Sequence, residues 1–148
     1  MTRRELREHV FLLLFRRDFY NTEEMKEQIS FYFDGVDLSE DAEEQESHRF
    51  LASPEGEDAE EVKKRFYEVC SHRDEIDAMI TEATSGWRLE RIGKVELTLL
   101  RLALFEMRFD EKIPDKVAIN EAVELAKKYG ADASSGFING VLAKLVTE

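Results

Sequence analysis

Arg3, Arg4 and Arg7 crowd the first seven residues of this 148-residue chain. A guanidinium can neutralise a phosphate or lie flat against a nucleobase, so three of them together form a candidate anchor for single-stranded nucleic acid. Other residue types that could do chemistry are scattered. His9, His48 and His72 fall on three different segments with no Cys or carboxylate at ligand spacing, which argues against a metal site. There is no glycine-rich phosphate loop, no Gly-x-Ser-x-Gly turn and no Cys/His pair that spacing nominates. Arg101 and Glu106 are five residues apart, which puts them on different faces of a helix; a structural contact is the better reading than an acid–base pair. Asn120, Glu121 and Asn139 read as hydrogen-bonding groups between helices. Nothing here nominates a catalytic residue, and the chain is not read as an enzyme; no cofactor is implied.

The elements that must position the arginines follow from composition. Two prolines and seven glycines, with abundant Leu, Glu, Ala, Lys and Arg, indicate an all-α protein. At this length the chain makes one domain, residues 1–148, or two tightly packed halves with a real core. Val95–Phe109 is apolar around nearly its whole circumference, which is the signature of a helix at the centre of a bundle. Its polar members Glu96, Arg101, Glu106 and Arg108 are expected to mark where it meets water or a partner.

Thr2 and Glu5 form a capping box, so a helix is predicted to start at Arg3 with Leu6, Val10, Leu13 and Leu14 inward and Phe11 and Phe15 widening the stripe. On an ideal wheel Arg3, Arg4 and Arg7 lie at about 0°, 100° and 40°. They sit at the end where the helix dipole disfavours cations by about 0.3–1 kcal/mol each. A local rule broken three times points to a functional reason, the plain alternative being that a frayed end tolerates them.

Further helices are predicted over Thr22–Phe33, Ser39–Leu51, from Asp58 with a bend at Ser71–Arg73, over Lys116–Tyr129 with Asp115 as N-cap and Gly130 as C′ residue, and from Asp132–Ser134 to about Val146. Ser53–Gly56 reads as a loop and Trp87 as a plug in the core. Gly136 and Gly140, one turn apart, are expected to let a neighbouring backbone approach closely.

The net charge of −12 is uneven. Residues 1–20 carry five Arg against three acids, residues 21–61 fifteen acids against Lys26 and Arg49, and the remainder fourteen bases against fifteen acids. The acidity therefore belongs to one segment, and salt screening lets a basic end work beside it. The longest apolar run, Val10–Phe15, is far too short for a membrane span. Glu5 and Glu8 among the arginines argue against a signal peptide, and the single Cys70 suits a reducing cytoplasm.

Four blocks carry a resemblance: Trp87-Arg88-Leu89-Glu90-Arg91-Ile92, Leu99–Glu106, Val117–Lys127 and Phe137-Ile138-Asn139-Gly140-Val141-Leu142. In order and spacing they resemble the NusB family of bacterial transcription antitermination factors, and Arg3-Arg4-x-x-Arg7-Glu8 looks like the family's arginine-rich start. Between about 20 and 60 no such match is visible.

The resemblance implies a seven-helix, two-bundle fold that binds boxA-type single-stranded RNA together with the ribosomal protein NusE, within a complex that modifies RNA polymerase. Carried over, Arg3, Arg4 and Arg7 match RNA-contacting arginines, Phe137 an aromatic beside the RNA, and Glu90 and Glu96 acidic positions facing NusE. His9–Phe15 departs from the family's small residues, Gln and Leu-Tyr. Ala133–Gly136 lacks a charge that many members carry, so affinity without NusE is expected to be modest. An acidic helical protein–protein adaptor without RNA binding is the rival reading. A bundle face can also be closed by a second copy, so a homodimer stays open.

Overall fold

The computed structural model describes residues 1–34, 53–84 and 88–146. Among them are seven α-helices: α1 Arg3–Arg17, α2 Thr22–Phe33, α3 Gly56–Ser71, α4 Arg73–Ala83, α5 Lys94–Phe109, α6 Asp115–Tyr129 and α7 Ser134–Ala143. A 3-10 turn at Leu89–Arg91 leads into α5. All regular structure among the described residues is helical, as the composition requires. The helix expected over Ser39–Leu51 and the Trp87 plug lie outside the described residues. The chain forms two compact units, residues 1–66 and 67–148.

In the first unit α1 is held by apolar residues that recur three and four apart: Leu6, Val10, Phe11, Leu13 and Leu14 are all buried. Glu8 and His9 are buried as well, so α1 is enclosed on more than its stripe. α2 has its own capping box, Asn21 with Glu24, and packs on α1 with Met25 and Ile29 inward. Tyr32 and Phe33 are half-buried. α3 begins at Gly56, two residues before the expected start, where a φ of +56° suits a residue without a side chain.

In the second unit α5 is the centre. Leu97 through Glu106 is an unbroken buried run, and α5 packs against α4, α6 and α7. The break between α3 and α4 falls at His72, inside the predicted bend, and the ring of His72 stacks on Phe109 of α5 with centroids 4.0 Å apart. Not all of the polar residues of α5 face outward as expected. Arg101 and Glu106 are buried, while Glu96 and Arg108 are half-buried. Arg101 instead turns inward because Asp77 of α4 meets it with two bonds, Nε to Oδ1 at 2.8 Å and Nη2 to Oδ2 at 3.0 Å. That pairing satisfies the planar guanidinium fork.

Three further expectations change. Pro114, with φ −62° and ψ 147°, is the N-cap of α6, and Asp115 is the first helical residue; the proline ring already fixes the extended conformation a cap needs. Gly136 and Gly140 face open space, because α7 packs through Ser134, Ile138, Val141 and Leu142 on its other side. α7 also stops at Ala143, where the N–H groups of Lys144 and Leu145 tighten onto carbonyls three residues back, and Arg108 donates to the Leu145 carbonyl at 2.5 Å.

Candidate nucleic-acid interface

The basic end of α1 is built as its sequence dictates. The Thr2 hydroxyl accepts from the Glu5 N–H at 3.1 Å, and the Glu5 carboxylate accepts from the Thr2 N–H at 3.1 Å. These bonds, that of the Thr2 backbone first, hold the Glu5 carboxyl below its ordinary range. A satisfied cap fixes the first turn, the backbone from which Arg3 and Arg4 and, one turn on, Arg7 project. Arg3 and Arg4 are exposed and Arg7 is half-buried.

What lies beside them comes from another helix, far along the chain. Glu61 of α3 meets Arg3 at 3.3 Å, and Asp58 meets the N-terminal amine at 3.2 Å. Part of the acidic segment thus returns to offset the dipole cost of the basic end. The Arg3 side chain keeps 76% of its surface exposed. An exposed single-bond pair of this kind contributes about 0–1 kcal/mol and is easily exchanged for another anion.

Beneath this end lies a buried polar group that spacing could not reveal. His9 Nδ1 and the Tyr32 hydroxyl share a hydrogen bond, and the guanidinium of Arg16 sits 5.0 Å from the Tyr32 ring centroid. Burial pushes the Tyr32 hydroxyl above the ordinary tyrosine range, against a smaller downward pull from Arg16. His9 here joins α1 to α2.

The remaining predicted residues belong to the second unit. Glu90 is exposed on the 3-10 turn, and Phe137 is half-buried in the first turn of α7. Glu96 is half-buried in the first turn of α5, where its carboxylate accepts a hydrogen bond from the Ser134 hydroxyl of α7. Ser134 was not singled out by the sequence. Gly130 departs from its expected part: it is extended, with φ −100° and ψ −179°, and not left-handed. A Cβ there would lie 2.7 Å from the Ser134 side chain and 2.8 Å from the Ala126 carbonyl, so glycine is required for space.

Among the described residues no group of three or more His, Cys, Asp or Glu is placed to hold a metal, and no helix is long and apolar enough to cross a membrane. In the first unit, exposed guanidinium groups on a capped turn can bind phosphate; in the second, taken by itself, the part-exposed Phe137 ring can stack a base.

Comparison with known proteins gives this geometry a family. The NusB family profile matches residues 4–147, and so runs through the stretch 20–60 where no motif was visible. The transcription antitermination protein NusB of Lachnoclostridium phytofermentans is 48% identical over 146 residues, 99% of each chain. A solved T. maritima NusB superposes with a TM-score of 0.74 at 29% identity, covering 100% of this chain and 92% of that one. A crystal structure of the antitermination factors NusB and NusE in complex with dsRNA matches with a TM-score of 0.69 at 26% identity, over 97% of this chain and 94% of that one. Sequence and helical framework agree from end to end, and the chain belongs to the NusB family.

Proposed function

We propose that this chain is a transcription antitermination factor that binds a boxA-type stretch of nascent single-stranded RNA together with NusE, as part of a complex that modifies RNA polymerase. The observation that carries the reading is the family match along residues 4–147. The solved structure of NusB and NusE in complex with dsRNA supports NusE and RNA as the classes of partner.

In this reading Arg3, Arg4 and Arg7 take phosphates or stack on bases from a capped helix end, and Phe137 offers its ring to a base. Glu90 and Glu96 form the acidic side toward NusE, with Glu90 the more accessible of the two. The whole chain, residues 1–148, acts as one RNA-binding domain in the cytoplasm, where transcripts emerge, and no catalytic step is involved. Three arginines give weak binding with a shallow salt dependence, so preference for one RNA sequence emerges when NusE enlarges the surface.

The test is an anisotropy titration of labelled boxA-like RNA, a scrambled strand and a boxA duplex, each with and without NusE. The reading expects weak, nearly sequence-blind binding by the chain alone and a marked preference for single-stranded boxA once NusE is added. Equal binding of boxA and scrambled RNA in the presence of NusE overturns it.

A further inference from the structure

Glu96 is usable by a partner through its charge, yet the structure ties it to something else. Its carboxylate accepts from the Ser134 hydroxyl, which in turn accepts from the Ala131 N–H at 3.0 Å. The Ser134 hydroxyl therefore has both its donor and an acceptor site engaged, and the residue is buried.

Two glycines make room for this pair from opposite sides. A Cβ on Gly93, the N-cap of α5, would fall 2.2 Å from Glu96 Oε2. A Cβ on Gly130, the cap of α6, would fall 2.7 Å from Ser134 Cβ and Oγ. The first turn of α5 and the first turn of α7 are thus joined through two side chains; a Cβ at 130 would meet Ser134 Cβ and the Ala126 carbonyl, and a Cβ at 93 would push the Glu96 carboxylate from its present place. α7 is only ten residues long and has no side-chain N-cap bond of its own; its start is held by backbone bonds from Ser134 N–H to the Ala131 carbonyl and from Phe137 N–H to the Ala133 carbonyl, and this link ties that turn to α5. Phe137 stands three residues after Ser134, one turn along the same helix, where i and i+3 side chains are neighbours.

We infer that Glu96 is a positioning residue for RNA binding: through Ser134 it fixes the first turn of α7 and so sets the direction in which Phe137 presents its ring. This rests on the RNA-binding reading above and adds to it a role for Glu96 separate from its charge toward NusE. What the link needs from residue 96 is a hydrogen-bond acceptor, not a negative charge. Glutamine can meet that need and alanine cannot.

The experiment measures boxA-like RNA binding by the full chain without NusE, across a range of salt, for wild type, Ser134→Ala, Glu96→Ala, Glu96→Gln, Phe137→Ala and the double variant Ser134→Ala/Phe137→Ala. Ser134→Ala and Glu96→Ala are each expected to weaken binding by about three- to tenfold, a fraction of the stacking Phe137 supplies, with the salt slope unchanged. Glu96→Gln is expected to bind like wild type. The double variant is expected to bind no worse than Phe137→Ala alone, because the link acts only through that ring. A merely structural loss would lower binding by the same factor in both backgrounds.

Wild-type affinity for Ser134→Ala overturns the inference, as do additive losses in the double variant or a Glu96→Gln protein as weak as Glu96→Ala. If Ser134→Ala fails to fold, the Glu96 pair of variants decides alone. Absence of RNA binding by wild type, with NusE present or not, sinks the RNA reading itself and is thereby distinguishable from failure of the link.

Discussion

α1 and α5 are both enclosed helices, yet they use their arginines in opposite ways. In α5, Arg101 lies at the centre of a buried run and is held by both oxygens of Asp77. In α1, Arg3 stands at the open end of the helix with a single bond to Glu61 and most of its side chain in water. The first arrangement desolvates a cation and is tolerable only with a complete partner. The second leaves the cation hydrated and exchangeable, which is what a site for a polyanion needs. An arginine's position along an apolar helix does not reveal its use. What decides is whether a carboxylate from another helix encloses it.

The comparison can be strained from the α5 side first. Leu100 is fully buried, and Leu100→Ala is expected to lower unfolding free energy by about 2–5 kcal/mol through the cavity it leaves. Denaturant midpoints measure this directly, and a shift typical of surface positions would displace α5 from the centre. Next, Asp77→Ala removes both bonds that Asp77 makes to the buried Arg101 guanidinium; a loss of about 3 kcal/mol is expected, at the low end for buried pairs because Asp77 is itself partly exposed. Stability close to wild type would mean that the Asp77 pair does not hold Arg101 in place.

A smaller effect belongs beneath the basic end. Tyr32→Phe removes the hydroxyl that meets buried His9, at a cost of about 1 kcal/mol. Tyr32 also predicts a pH dependence. Its proton is held more tightly in the folded state than in the unfolded chain, where a tyrosine titrates near pH ~10. The stability it contributes is therefore complete below that pH and declines as pH rises beyond it. Comparing alkaline unfolding of wild type with Tyr32→Phe isolates this contribution, and parallel curves would contradict it.

Smallest of all is the stability change for the triple replacement of Arg3, Arg4 and Arg7 by Gln. It relieves three unfavourable dipole contacts and removes exposed contacts, the pair with Glu61 among them, so unfolding free energy is expected to be unchanged or to rise by less than about 1 kcal/mol. A large drop in melting temperature would make the arginines structural.

Much of the framework was legible in the sequence, for physical reasons that can be named. The capping box Thr2/Glu5 gave the start of α1, and the boundaries of α2 matched at both ends, since caps act locally. The all-round apolar pattern identified α5 as the centre. Periodicity, however, says which face turns inward and not which residue waits there. Arg101 with Asp77, His9 with Tyr32, Arg3 with Glu61 and Glu96 with Ser134 join residues 23 to 58 apart, on different helices. Gly130 shows the same limit: after a helix a glycine reads as a left-handed stop, whereas here it clears space for a side chain from the next helix. The candidate RNA residues were legible as types and through family resemblance, and their acidic neighbours were not.

The most direct test of the account is the salt dependence of boxA RNA binding by wild type and by the Arg3→Gln/Arg4→Gln/Arg7→Gln variant, measured with NusE present. Glutamine keeps helix propensity and polarity, so a difference reports guanidinium charge and geometry. The account predicts that the triple variant loses most of its boxA affinity and that its log–log salt slope becomes shallower by about 2 units, as for three phosphate contacts on a single strand. A variant that folds, binds boxA with wild-type affinity and keeps the wild-type slope would contradict it.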